Sequence, residues 1–227
     1  MSVATRAPAV EPRILLTRVA WETFEQLAAT ARGGRFAFDR GALEIMSPGP
    51  VHERRGRSMG EFVRIVSRVR RIPRIALGST TWKRPEADRG IEADECFYFT
   101  PEKIDAANDA DERGLNDSTH YPAPDLAIEV DISEPRVDRP AIYATIGVAE
   151  LWRSVGDEVH IEHLGEDGTY TRSRSSRFLP VRDRDIRRWL IQEDRSDEAD
   201  WEERLTAWAR RLARPRGPRR PRPGAEE

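Results

Sequence analysis

Met59, Phe62, Val63, Val66 and Val69 recur at the spacing of one helical face, and arginines fill the positions between them. The stretch from Val51 to Arg70 therefore reads as an amphipathic helix. Trp21, Phe24, Leu27 and Ala28 repeat the same spacing, with Thr17 placed to cap that helix and Gly33-Gly34 to end it. Arg35 to Phe38, Asp39-Arg40-Gly41 and Ala42 to Met46 read as strand, turn and strand, stopped by Ser47-Pro48-Gly49-Pro50. Ile75 to Trp82 and Glu95 to Phe99 are expected strands, and the polar, acidic residues 102–122 a surface insertion. Leu126 to Val130 is a buried-type strand, apolar but for Glu129. A short helix over Ala141 to Ile146 should end at Gly147. Leu151 to Arg153, Glu158 to His163 and Thr169 to Ser173 follow as antiparallel strands, with Gly165 to Gly168 as a turn. Asp183 to Leu190 and Trp201 to Leu212 are expected helices. This order predicts an α/β (mixed α+β) fold with a central sheet.

The chain has 227 residues, which suits one domain with appendages. The expected division is a disordered N-terminus over 1–12, a folded domain over 13–192, a C-terminal helix over 193–213 packed on or extending it, and an Arg/Pro tail over 214–227. The net charge of −2 exerts no global pull on nucleic acid, so any such binding must come from local basic patches. Only Lys83 and Lys103 are lysines among 38 basic residues, so no arginine is informative merely for being one. One cysteine, Cys96, excludes an intrachain disulfide. No apolar run reaches the roughly 18 residues of a membrane helix. Residues 1–12 lack the apolar segment of a secretory signal. These features point to a cytoplasmic protein with no membrane partner, and a homodimer is compatible with them.

Two segments set carboxylates in apolar strands. Asp94 stands at the entry to a strand in Glu92-Ala93-Asp94-Glu95-Cys96-Phe97-Tyr98, and Glu129 interrupts Leu126-Ala127-Ile128-Glu129-Val130, which Asp125 and Asp131 flank. An ionised carboxylate there is costly unless it is paired or metal-bound. Two carboxylates, a carbonyl and waters suit Mg²⁺. Spacing alone favours the other outcome, an ion pair with one of the many arginines.

The stretch from about Leu15 to Trp208 resembles the Uma-two family of restriction endonucleases, within the PD-(D/E)XK nuclease superfamily. Six blocks carry the resemblance, in order and at family-like spacing: Leu43 to Pro48, His52-Glu53-Arg54, Gly78 to Arg84, Glu92 to Tyr98, Pro124 to Asp131, and Ile142-Tyr143 with Gly147 to Arg153. The resemblance implies a restriction-endonuclease-like core, a central mixed sheet flanked by helices, hydrolysing DNA with Mg²⁺ (Mn²⁺ as a substitute). It implies that Asp94 and Glu129 bind the metal, with the Val130 carbonyl completing the oxygen set. Glu44 or Glu53 would be the additional acid contributed ahead of the sheet.

Two positions depart from the family. Ala93 replaces the usual Pro before the first catalytic Asp, a change of backbone shape rather than chemistry. The superfamily's Lys, two residues after the Glu, falls on Asp131. The family's own Lys position, ahead of its Tyr, corresponds to Arg139, which stabilises phosphate but stays protonated. Lys83 is the other candidate for that basic role. These departures keep a second expectation open, a weakly active or inactive nuclease fold that binds nucleic acid or a protein. His52 reads as a satisfied, partly buried histidine on the apolar helix stripe. His160 and His163 read as surface or structural, and Cys96 as a small core residue. From Arg210 to Arg222 there are seven arginines and no acid. That run either binds nucleic acid through counterion release or merely solubilises the chain.

Overall fold

A strand that the hydrophobic pattern did not reveal comes first among the described elements. In this computed structural model residues 11–31 and 33–212 are described; the expectations for residues 1–10 and for the tail 214–227 lie outside them. Strand β1 (Arg13–Thr17) pairs antiparallel with β3 (Ala42–Met46), Leu15 facing Glu44. Ile14, Leu15 and Leu16 are consecutive apolar residues on a sheet edge and all remain exposed, so no alternation betrayed them. Thr17 thus closes a strand instead of capping a helix. Helix α1 (Trp21–Thr30) starts after Ala20 with no side-chain cap, and it ends before Gly33-Gly34.

Strand β2 (Arg35–Asp39) joins β3 through Arg40 and Gly41, both at positive φ, as a two-residue type I′ hairpin requires. With β5 (Thr81–Arg84) and β6 (Arg89–Glu92) they form an antiparallel sheet ordered β1-β3-β2-β6-β5. Helix α1 covers this sheet by packing Phe24 on Phe36, Phe38 and Leu43, the Phe24 and Phe38 rings stacking 5.1 Å apart. Gly90 on β6 permits this approach: a Cβ there would lie 2.5 Å from the Phe24 ring.

Helix α2 (Pro50–Arg70) begins with Pro at its first position and ends at Arg71 in the left-handed conformation. The strand expected over Ile75 to Trp82 is two strands. Strand β4 (Ile75–Ala76) and β5 belong to different sheets, and Gly78, at φ 59°, lies between them. The expected insertion contains helix α3 (Pro101–Glu112), whose buried face is Ala107 and Ala110. Side chains that small left no apolar stripe to read.

The second sheet runs β11-β10-β9-β8-β7-β4, from β7 (Glu95–Tyr98), β8 (Leu126–Asp131), β9 (Glu150–Val155), β10 (Glu158–Leu164) and β11 (Tyr170–Ser173). Its β8–β9 pair is parallel and every other pair antiparallel. A parallel pair needs a crossover, and helix α4 (Arg139–Ile146) supplies it. The predicted mixed central sheet flanked by helices is therefore present. Period-two alternation sends Leu126, Ile128 and Val130 into a core with Met59, Phe62, Val63 and Val66 of α2. Helices α5 (Asp183–Arg187) and α6 (Glu198–Ala209) extend that core through Ile186 and Trp201. On the opposite face Ala127 packs with Tyr98, Ile142 and Tyr143, where Trp82 and Ile91 of the first sheet close the layer. Strand β8 is thus covered on both sides, and all six of its residues are buried. No helix among the described residues is long and apolar enough to cross a membrane.

Candidate active site

Strand β8 carries Glu129 on the side facing α4, where burial would leave an ionised carboxylate stranded. Two groups answer it. Tyr143 Oη donates to Glu129 Oε2 at 2.6 Å, and Arg139 Nη1 bonds Oε1. The other terminal nitrogen of Arg139 reaches Glu44 Oε1 on β3 at 2.5 Å. Asp131 lies 3.6 Å from Arg139 Nη1 and is held by Arg153 at 2.9 Å. Glu44 also accepts from Arg13 at 2.8 Å and from the Arg136 main-chain N–H. Burial, with Asp94 and Asp131 nearby, outweighs Arg139 and pushes the Glu129 carboxyl up to about 7. Glu44 moves the other way, because Arg139 and the Arg136 N–H overcome its burial. Burial disfavours charge on Arg139, yet Glu129, Glu44 and Asp131 together raise its pKa beyond that of a free guanidinium.

Asp94 lies between β6 and β7. Its main-chain N–H donates to Ile128 O at 3.2 Å, and its Oδ2 accepts from the Val130 N–H at 2.8 Å. Asp94 is thereby fixed to the backbone on either side of Glu129. Its Oδ1 meets His52 Nε2 of α2 at 2.8 Å, and Arg35 Nε stands 3.6 Å away. His52 Nδ1 lies 2.8 Å from Glu11 Oε1. Burial opposes charge on His52, but the hydrogen bond to Asp94 and the close Glu11 carboxylate prevail and push its pKa up to about 10. An imidazolium clamped between two carboxylates results. Gly56, one turn on from His52, faces Asp94 and Val130 across this contact, where an added Cβ would make ordinary van der Waals contacts of 3.7 and 3.8 Å. Asp94 also borders a groove of about 520 Å³ lined by Arg35, Glu53, Arg64, Arg195 and Trp201.

The structure thus gathers Asp94, Glu129, Val130, Glu44 and Arg139 into one region. Glu53 lies at its groove-side margin, 3.5 Å from Arg35. Lys83 is not brought there: its Nζ bonds Asp117 at 2.5 Å and lies 3.7 Å from Glu25. Asp125 is also elsewhere, bound by Lys103 and by the Phe99 and Thr100 N–H groups. Glu11 overturns its expected disorder, being 6% exposed and paired with Arg13 at 3.1 Å. Nothing in its local sequence pointed to that role, whereas His52 and Tyr143 stood inside the recognised blocks. Cys96 is a core residue whose thiol burial pushes up to about 12. His163 is structural, 3.1 Å from the buried Glu150.

The donor set suits a hard dication in kind. Mg²⁺ is commonly held by one or two carboxylates while keeping several waters. Glu129, still under-compensated beside Arg139, would gain from further positive charge. Among the described residues no three of His, Cys, Asp and Glu converge on one ion-sized space.

The family described as "Uma2: Putative restriction endonuclease" matches residues 21–184, most of the chain. The chain belongs to the Uma2 family. Its fold is also similar to a crystal structure titled as that of a "putative nuclease belonging to DUF820" from Anabaena variabilis ATCC 29413. That likeness has a TM-score of 0.50 at 15% identity and covers 76% of this chain and 99% of the other. At this identity it establishes the fold, a restriction-endonuclease-like core. No curated protein matches the chain. Membership of the Uma2 family supports nuclease function in general terms and a nucleic-acid substrate.

Proposed function

We propose that this chain is a metal-dependent endonuclease that hydrolyses phosphodiester bonds of DNA, with Asp94 and Glu129 as the metal-binding pair. The observation that carries the reading is the tie between them: the Asp94 carboxylate accepts the N–H of Val130, the residue next to Glu129, so two buried acids from different elements are held together. Mg²⁺ or Mn²⁺ held there would lower the pKa of a bound water and offset charge on the scissile phosphate. The chain's own residues do the rest. His52 and Val130 orient Asp94, while Tyr143 and Arg139 orient Glu129. Arg139 cannot take a proton at neutral pH, so its contribution is to orient Glu129 and to lend positive charge. The test is cleavage of plasmid DNA across a Mg²⁺ and Mn²⁺ titration, beside Asp94→Asn and Glu129→Gln, with metal binding followed separately by calorimetry. Metal-stimulated cleavage lost in both variants is expected; cleavage that persists in either removes that residue from the mechanism.

One observation favours a second reading. Arg139 already bonds both Glu129 and Glu44, the place where the family's lysine would stand. A guanidinium locked between two acids could leave a fold that binds DNA without cutting it. Binding of DNA with no cleavage by wild type at any metal concentration would establish that reading.

A further inference from the structure

We propose that Arg54, Arg55 and Arg195 form a phosphate-binding subsite at the rim of the Asp94 groove, taking a backbone phosphodiester of a nucleic-acid strand. The identity of the strand rests on the nuclease reading above; the affinity for phosphate does not.

Arg54 and Arg55 are consecutive on α2, so their side chains diverge around the helix. Arg54 turns toward the segment ahead of α6 and donates to the Arg195 main-chain carbonyl. Arg55 turns toward the β9–β10 turn and bonds the Gly156 carbonyl. Arg195 itself lines the groove alongside His52 and Asp94. Backbone carbonyls thus hold the Arg54 and Arg55 guanidinium groups close enough to Arg195, at the edge of the groove, for their charges to act on it.

Their charge is poorly answered. Glu198 lies 3.8 Å from Arg54, and Asp157 lies 3.9 Å from Arg55. Both acids are largely exposed, so each gives little compensation in water. The Nη1 of Arg195 is buried with no hydrogen-bond partner among the described residues. Burial, then Arg54 and Arg55, lower the Arg195 pKa. Arg55 is lowered as well, chiefly by burial. Elsewhere in the groove Arg35 is matched by Glu92 at 2.5 Å and Arg64 by Glu95 at 2.8 Å, and Arg57 on α2 is a further positive charge along the wall. Glu53, Glu61 and Glu202 also line it and would repel a polyanion, whereas at the rim the one lining acid, Glu198, is exposed and set against Arg54 and Arg195. An anion between these guanidinium groups relieves their mutual repulsion and satisfies the open Nη1. Planar forks of N–H donors fit phosphate oxygens in pairs.

The test measures binding of fluorescent single-stranded and duplex DNA to the full chain in EDTA, so that no cleavage intervenes, over a range of salt. Arg195→Gln is the main variant, because its side chain tethers nothing; Arg55→Gln is the second. Each should bind more weakly and flatten the plot of log K against log salt by about one phosphate contact, a slope change of roughly 0.7 to 0.9. In a parallel arm, inorganic phosphate should raise the melting temperature of wild type more than that of Arg195→Gln. Protection by phosphate that Arg195→Gln loses supports the subsite even if the protein cleaves nothing. A wild-type salt slope in a folded Arg195→Gln overturns the subsite, and if that variant still cleaves, the nuclease reading stands without it.

Discussion

Arg139 bonds Glu129 with one terminal nitrogen and Glu44 with the other, so a single guanidinium ties β8 of the six-stranded sheet to β3 of the five-stranded one. The residue read from sequence as a catalytic cation is also a structural rivet. Its neighbours Arg13, Arg153 and His52 continue an alternation of charge from Asp131 through Glu44 and Glu11 to Asp94. Buried charges of this kind are stable only as a set, because removing one member leaves its partners uncompensated.

Arg139→Ala should therefore unfold more easily as well as cleave more slowly. Breaking a buried pair costs about 3–5 kcal/mol, and here Glu44, Glu129 and Asp131 all lose the same partner. Arg139→Lys keeps the charge but cannot span two carboxylates with a planar fork. It should lose less stability, free an oxygen of Glu44 or Glu129, and retain or raise cleavage. Urea midpoints and plasmid cleavage measured on both variants decide this. An alanine variant as stable as wild type would show that the rivet carries no load.

The N-terminal anchor gives a second outcome. Glu11 sits beside both Arg13 and His52, and its side chain is 4% exposed. Glu11→Ala leaves an imidazolium and a guanidinium each short of a partner, so a loss of about 3 kcal/mol or more is expected by the same argument. Removing residues 1–12 should destabilise at least as much. Thermal melts of the truncated chain matching wild type would return this segment to the dispensable terminus that its sequence suggested.

How much of this was legible depended on side-chain size and on distance along the chain. Helix α2 was readable because Met59, Phe62, Val63 and Val66 are large and periodic. Helix α3 was not, because its buried positions are alanines. Strand β1 escaped because Leu15 and its neighbours face solvent from an edge, where neither alternation nor burial marks a strand. At the site, Glu129 was conspicuous as one carboxylate in an apolar run. Glu11 was not, since its partner His52 lies 41 positions further on and only the fold joins them. Lys83 stands apart from the acids for a related reason: β5, which bears it, is the edge strand of the five-stranded sheet farthest from β3, and there its ammonium pairs with Asp117.

Gly90 offers a purely steric check on the first sheet. A Cβ at this position would meet the Phe24 ring at 2.5 Å and the Trp82 carbonyl at 3.3 Å. Neither the backbone carbonyl nor a ring stacked on Phe38 can yield cheaply. Gly90→Ala should cost about 1–3 kcal/mol, the usual penalty of overpacking. Phe24→Leu in the same chain should recover part of that loss, and chemical denaturation of the single and double variants would show it. Additive losses would mean the ring is not what the methyl group meets.

The last outcome concerns Lys83, the basic residue that the fold withholds from the acids. Its ammonium bonds Asp117 Oδ2 at 2.5 Å, and Asp117 also accepts from Thr119. Burial would raise the Asp117 pKa, but the bonds from Lys83 and Thr119 hold it down at about 2, against an ordinary 3.8. A carboxyl depressed in the folded state adds stability above its unfolded pKa, and that stability is lost as pH falls through the folded value. The pair should thus contribute fully above pH 4 and nothing below about pH 2. Asp117 is 43% exposed at its side chain, so solvent screening limits the pair to about 1 kcal/mol or less. Asp117→Asn should accordingly melt slightly lower than wild type at pH 7 and indistinguishably from it near pH 2. Lys83→Met should show the same small loss at pH 7 and leave cleavage at the wild-type rate. A Lys83→Met variant that folds normally but fails to cleave would restore this lysine to the catalytic role and require a rearrangement bringing β5 to Asp94.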